Sequence, residues 1–329
     1  MSHPATVLPS FTISPASPDP LHQTSFLALL FTVVCHVLAL LTSNYSWVDR
    51  LWSIAPVVYV WVLAGQQAGG DVRSLVVCGC VTFWGARLTL NFARKGGYNP
   101  KDEDYRWAVL RKAIPSKILW HLFSLLFISV YQNFILLLIS LPTYIVHRAS
   151  VLSPTPWSNL DTTLLVLFAA FLVGETIADN QQFAYQTKKH QLIRKAQMGD
   201  KDASTDNLGL PQVYARGYLT TGLFRYSRHP NFFCEIMIWW CIYGFSVAAT
   251  IPKSNGLIDL TWSNIVNWTI IGPIMLTLLF QGSTSFTEGI SAKKYPTYQI
   301  YQKTTSRLVP MWPGKDVDQQ VKEEQDKRK

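Results

Sequence analysis

The chain has 329 residues, 49% hydrophobic and only 15% charged, with 12 Trp and a formal net charge of +9. Soluble domains carry about 25% charged residues, so this composition excludes an ordinary water-soluble globule, and its apolar content excludes disorder over most of the length. Five cysteines in apolar surroundings, with no C-x-x-C pair and no histidine at zinc spacing, exclude a disulfide framework and a zinc site.

Residues 1–24 are rich in Pro, Ser and Thr and contain no Lys or Arg, so they lack the positive n-region of a cleavable signal peptide and read as a flexible lead-in. Seven apolar runs follow, at about 25–42, 51–64, 75–92, 118–141, 162–184, 232–251 and 266–280. A bilayer crossing needs about 20 apolar residues, fewer where Trp, Tyr, Lys or Arg anchor the ends, so the second and seventh runs are short. The pattern predicts an all-α, polytopic integral membrane protein of about seven spans. It forms a single membrane domain over 25–310, with a charged tail at 311–329 that is expected to be solvated.

Basic residues test the topology, because Lys and Arg concentrate in cytosolic loops. Segments 93–117, 187–231 and everything after 280 hold 7, 8 and 9 of them, which makes 24 of the 29. Seven spans put all three segments on one face, with the N-terminus lumenal or outside and the C-terminus cytosolic. Two N-x-[ST] matches, at Asn44 and Asn267, then fall in a cytosolic loop and inside the seventh span, where neither is glycosylated. Neither a Walker A motif nor a G-x-G-x-x-G fingerprint is present, so a nucleotide would be held without either loop.

A charge inside a span costs several kcal/mol, about 3 on insertion scales, so each one needs a partner, a cavity or a function. Glu175 and Asp179 in the fifth span are spaced i,i+4 and share a helix face with Gln182. That face suits an amide, a ribose hydroxyl or a cationic partner; an inward Arg such as Arg87 would satisfy only part of it. Arg225, Arg228 and His229 precede Pro230, Asn231 and the sixth span with Glu235. A helix start flanked by arginines favours phosphate or carboxylate, although a bare cationic loop there could simply read lipid head groups. Arg87 lies one turn inside the third span, where it can snorkel, and the following Glu103-Asp104-Tyr105-Arg106-Trp107 reads equally as solvated surface. Asp49, next to Arg50 at the start of the second span, reads either as a cap or as a proton donor at a membrane-facing pocket. His36 and His121, alone among apolar residues, read as structural.

The run Tyr226-Ser227-Arg228-His229-Pro230-Asn231-Phe232-Phe233-Cys234-Glu235 resembles the C-terminal signature of the steroid 5α-reductase superfamily, closest to its DUF1295 branch. Glu175 through Gln182, Glu288 with the later Tyr295-Pro296, Trp84-x-x-Arg87 and Glu103 through Arg106 fit the same branch, so the likeness covers roughly residues 81–310. The resemblance implies a helical membrane fold with NADPH held in the C-terminal half, about 162–310. Asn231 and Glu235 match positions that contact the cofactor, Glu235 near its nicotinamide. Glu175, Asp179 and Glu288 fall on cofactor-facing positions, and Gln182, Arg225, Arg228 and His229 are counted with them. Phe233 and Cys234 depart from the branch's usual Tyr and Gly. The catalytic Glu and Tyr of the reductases have no counterpart here, which leaves Asp49 as the candidate acid and steroid specificity untransferred.

The expected chemistry is reduction of a conjugated C=C bond in a lipophilic, sterol-like or other lipid substrate. Membrane methyltransferases that use S-adenosylmethionine share the Arg-His-Pro signature and are the rival enzyme class; a non-enzymatic membrane protein that retains the fold is the third reading. The implied partners are the bilayer and a small lipophilic molecule, with neither nucleic acid nor metal, and the endoplasmic reticulum is the expected membrane.

Overall fold

The computed structural model describes residues 9, 13–65, 70–199, 210–254, 257–258 and 261–326. In chain order its helices are α1 (Pro20–Thr42), α2 (Trp47–Leu51), α3 (Ala55–Ala64), α4 (Val72–Arg94), α5 (Tyr105–Ala113), α6 (Lys117–Phe123), α7 (Gln132–Ser140) and α8 (Pro142–Leu152). They continue with α9 (Asn159–Gly199), α10 (Gln212–Ala215), α11 (Pro230–Thr250), α12 (Trp262–Ile265), α13 (Ile271–Lys294), α14 (Tyr298–Thr304) and α15 (Val317–Asp326). A π-helical stretch, Ser124–Tyr131, joins α6 to α7. Among the described residues, extended pairing is confined to two residues on each side, Lys253–Ser254 with Leu257–Ile258.

Among the described residues, six helical runs are long and apolar enough to cross a bilayer: α1, α4, Lys117–Leu152, Asn159–Met198, α11 and Trp268–Lys294. The protein is therefore an all-α polytopic membrane protein. The second expected span is the exception, because α3 alone has ten residues and reaches only about 15 Å at 1.5 Å per residue. Its company nevertheless shows that the segment reverses the chain. Ser53 Oγ meets Thr89 Oγ1 at 2.7 Å, the Trp61 indole donates to Thr82 Oγ1 at 3.0 Å, and the Cys78 thiol donates to the Val60 carbonyl. These pairs run antiparallel. Gly85 makes the approach possible, since a Cβ there would fall 2.4 Å from Val57 and 2.6 Å from the Ser53 carbonyl.

Sequence explains where the first helix starts. Asp19 caps α1 by accepting from Leu21 N at 2.9 Å, and Pro20 occupies a first-turn position that needs no N–H partner. The helix thus begins five residues before the apolar run and takes in part of the expected lead-in. Ser43, at φ 53, ends it in the left-handed conformation.

The chain divides into two compact units, Met1–Ala169 with Ile238–Leu278, and Ala170–Met237 with Leu279–Lys329. The first unit has two polar ends. At one, the Tyr144 hydroxyl donates to Asp19 at 3.0 Å, and Arg73 holds Asp161 through two bonds of 2.7 and 2.9 Å while also reaching Thr155. Thr155 in turn donates to the Ala249 carbonyl at 3.4 Å. At the other end, Asn44 through Arg50 meet residues 97–104. Asp19 and Arg73 share an end only if the chain goes out along α1 and returns along α2 and α3. Between the ends Trp84 and Trp239, both buried, pack edge to face at 4.9 Å.

In the second unit, α9 and α11 run antiparallel, with Phe171 against Phe233 at 5.9 Å and Gly174 opposite Cys234. The tail departs from its expected solvated form. Val317 and Val321 share a face of α15 and bury against Tyr298 and Tyr301, and Arg216 pairs with Asp318. Two apolar residues four apart are enough to seat a helix that is otherwise charged.

Candidate functional site

Two polar assemblies contain the candidate residues, one in each unit. In the second unit Arg228 is the hub. Its Nε donates to Glu288 Oε1 at 2.6 Å and its Nη2 to Oε2 at 3.0 Å, and its Nη1 reaches the carbonyls of Gln302 and Thr305. His229 Nε2 meets Glu288 Oε1 at 2.9 Å, and Gln302 Nε2 donates to Oε2 at 3.0 Å. Glu288 is 5% exposed and accepts four bonds, two on each oxygen. Buried carboxylates persist when paired in this way. Arg228, His229 and Glu288, which sequence treats as parallel ligand groups, are thus partners of one another.

The backbone before Pro230 is also engaged. The N–H of Arg228 donates to the Ser306 carbonyl at 2.8 Å and that of His229 to Arg307 at 3.1 Å, while Ser227 Oγ donates to Leu308 at 2.7 Å. The N–H groups of these two residues are consumed and not left for a ligand, because the segment after α14 lies alongside them as a strap. Arg225 stands apart, exposed at the end of a short 3₁₀ turn. That turn needs Gly222: its φ is +64°, and a Cβ would collide with Gln181 at 2.5 Å. Gln181 uses the closeness to accept from Leu223 N at 2.9 Å.

The remaining candidates lie on facing helices. Asn231 and Glu235 are one turn apart on α11, and Glu175 and Asp179 one turn apart on α9. Asn231 Nδ2 donates to Asp179 Oδ1 at 3.4 Å, so the antiparallel register sets Glu175 level with Glu235. Glu175, Asp179 and Glu235 are each 4% exposed. Gln182 Oε1 is a buried acceptor that receives no hydrogen bond among the described residues. Acceptors dominate this face, which fits a ligand that brings donors, such as an amide and sugar hydroxyls.

Asp49 belongs to the first unit. It accepts from the Trp107 indole at 3.0 Å, and Trp107 is buried. Burial raises the Asp49 pKa, the Asp104 carboxylate adds to the rise and the Arg106 guanidinium opposes it. The run from Glu103 to Trp107 is not free solvated surface. Glu103 accepts from Tyr45 N at 2.9 Å and pairs with Arg111, Asp104 N bonds Ser46 Oγ, and Asp104 caps α5 while holding Arg106. Arg50 donates to the carbonyls of Gly97, Asn99 and Asp102. Two sequence features read separately, around Asp49 and around Glu103, form one docked assembly.

Several participants carried no sequence signal: Gln302 and the carbonyls beyond it, and the Arg73–Asp161 pair, whose members stand near span ends where charge is unremarkable. Both sequon asparagines are buried and already donate, Asn44 to the carbonyls of Pro100 and Asp102 and Asn267 to Ser246 Oγ. Among the described residues no group of three or more His, Cys, Asp or Glu is disposed to hold a metal.

The chain belongs to the family described as protein of unknown function DUF1295, whose model matches residues 35–305. It is similar to an uncharacterized protein of Schizosaccharomyces pombe, with 36% identity over 281 residues that cover 84% of this chain and 76% of the relative. No solved structure matches.

Proposed function

We propose that this member of the DUF1295 family is an NADPH-dependent membrane reductase, related to the steroid 5α-reductases, that saturates a conjugated C=C bond in a lipophilic substrate. The observation that carries the reading is the facing of two acceptor-rich helix edges, Glu175 and Asp179 against Asn231 and Glu235, joined by the Asn231–Asp179 bond. Buried carboxylates there suit the amide and ribose hydroxyls of a dinucleotide, and Gln182 Oε1 offers one further acceptor. The exposed Arg225 suits its phosphates. Arg228 and His229 act through Glu288 and the strap, holding the start of α11 and therefore Asn231 and Glu235 in position.

When bound, the nicotinamide supplies the hydride. Glu175, Asp179, Asn231 and Glu235 would hold and orient it. Reduction also needs a proton at the carbon neighbouring the one that receives hydride; the candidate acid named from the sequence, Asp49, lies in the first unit. Its burial raises its pKa and so favours the protonated acid, the state that can donate, more than in an exposed aspartate. The basic segment 93–117 supports reading its end of the first unit as cytosolic, with the endoplasmic reticulum as the expected membrane.

A thermal-shift comparison of purified protein with NADPH, with S-adenosylmethionine and with neither tests the reading. A rise with NADPH alone is expected. A rise with S-adenosylmethionine and none with NADPH identifies a methyltransferase, and no rise with either favours a non-enzymatic protein.

A further inference from the structure

The strap after α14 is held by backbone hydrogen bonds along its length, yet it leaves its largest side chain in the open. Gly314 N donates to the Thr304 carbonyl at 2.9 Å and closes residues 304–314 into a loop. Within the loop, the carbonyls of Ser306 and Arg307 accept from the N–H groups of Arg228 and His229, Met311 N donates to the Tyr226 carbonyl at 3.0 Å, and Thr305 and Leu308 are buried. Pro310 and Pro313 stiffen it further. Its outer surface carries Val309, Met311 and Trp312, which are 59%, 62% and 91% exposed. Trp312 meets Tyr226, itself exposed, edge to face at 6.4 Å.

The loop lies at the depth where a bilayer changes from hydrocarbon to head groups. Helix α11 has 21 residues, which makes it about 31 Å long at 1.5 Å per residue and matches the hydrocarbon core. Its first residue, Pro230, therefore marks the boundary, and residues 226–229, to which the loop is bonded, lie just outside it. Helix α13 gives the same level independently. Arg307 donates to Ser285 Oγ at 2.9 Å and to Gln281 Oε1, immediately after the apolar run 266–280. Tryptophan is enriched in that layer, because its ring is apolar and its N–H polar. Charge points to the same partner. Residues 303–315 include Lys303, Arg307 and Lys315 and no Asp or Glu. Lys303 and Lys315 are exposed and flank the bond between Thr304 and Gly314, while the next acid, Asp316, is spent on capping α15 through the N–H groups of Asp318 and Gln319. Cations beside an interfacial aromatic attract acidic phospholipid. A second copy of the chain fits worse, since two such loops face to face would oppose the same cations.

We propose that this loop is an anchor for an acidic membrane surface: Val309, Met311 and Trp312 enter the head-group layer beside the start of α11, and Lys303 and Lys315 receive the head groups of acidic phospholipids. The same loop supplies the carbonyls that hold Arg228 and His229, so lipid at the exposed side steadies the clamp from outside the chain. The proposal does not depend on the cofactor reading.

The test is to reconstitute the full-length chain into nanodiscs of phosphatidylcholine alone and of equal parts phosphatidylcholine and phosphatidylserine. The difference in tryptophan emission between the wild type and Trp312→Phe isolates Trp312. Phospholipid brominated in the upper part of its chains should quench that difference severalfold, and aqueous acrylamide should quench it weakly; strong quenching by acrylamide and none by brominated lipid overturns insertion. The wild type should melt several degrees higher in the discs with phosphatidylserine. The double variant Lys303→Gln with Lys315→Gln, changed only at exposed positions, should match the wild type in phosphatidylcholine and lose most of that gain; an equal gain in both proteins overturns the acidic-lipid contact. A dimer in detergent that dissociates when Met311→Ser and Trp312→Ser are combined assigns the patch to a second copy and contradicts the proposal. These readouts involve no nucleotide, so their failure and that of the reductase reading are distinguishable.

Discussion

Glu288 and Tyr59 are both buried polar side chains, one in each unit, and they differ in what the fold provides for them. Glu288 accepts four hydrogen bonds from Arg228, His229 and Gln302, whereas the Tyr59 hydroxyl and the nearby Asn133 Oδ1 have none among the described residues. A saturated buried charge is scaffold: it fixes a loop and leaves nothing to offer a ligand. An unsatisfied one is costly unless something outside the chain completes it. By this distinction the Arg-His-Pro motif is chiefly a clamp, whereas Gln182 Oε1 in one unit and the Tyr59 hydroxyl and Asn133 Oδ1 in the other are buried with no hydrogen-bond partner among the described residues.

The largest effect separating the two classes should come from Glu288→Ala, which leaves the guanidinium of Arg228 buried beside two carbonyls. Losing one partner of a buried pair costs about 3–5 kcal/mol, so thermal unfolding in detergent should fall steeply or the variant should fail to accumulate. Asp161→Asn, which weakens the buried Arg73–Asp161 pair, should be the next most damaging. A wild-type-like melting temperature in both would remove the clamp from the account.

Trp107→Phe removes one bond to Asp49, and the expected loss is about 1–2 kcal/mol. Asp49 adds a pH signature of known sign. Its native pKa is raised above the usual value near 4, so its contribution is full below about pH 4 and declines as pH rises through the raised native value. The difference in stability between wild type and Asp49→Asn should therefore shift against the wild type as pH rises over that window. A difference that is flat with pH would mean the carboxyl is not held protonated by burial.

The smallest effect is expected from Tyr59→Phe in lipid-stripped protein, where loss of an unsatisfied hydroxyl should be neutral or slightly stabilising, within about 1 kcal/mol. A substantial loss of stability there would show that the hydroxyl has a partner within the fold.

What could be read in the sequence follows the same division. Spans are legible because about 20 apolar residues form a local, additive signal, and the i,i+4 spacing of Glu175 with Asp179 and of Asn231 with Glu235 gives each helix face directly. The second pass was harder to see: α3 is short, and its antiparallel course depends on Ser53, Gly85 and Thr89 meeting across more than 30 residues of chain. Nothing local to Arg228 or His229 reveals that both point to Glu288, 60 and 59 residues later. The tail read as solvated because charge dominates it, and only Val317 and Val321, whose partners are tyrosines of α14, reverse that. Contacts distant in sequence decide whether a polar residue is spent on the fold or left for a ligand.

The most direct measurement is a fluorescence titration of the detergent-purified protein with NADPH, run beside Glu235→Gln and Tyr59→Phe. Saturable binding by the wild type, weakened about tenfold in Glu235→Gln, where loss of one charged hydrogen bond is worth about 1.5–3 kcal/mol, and unchanged in Tyr59→Phe, is the predicted result. Absence of saturable NADPH binding, or equal affinity in Glu235→Gln, would contradict the assignment of the cofactor to the facing edges of α9 and α11.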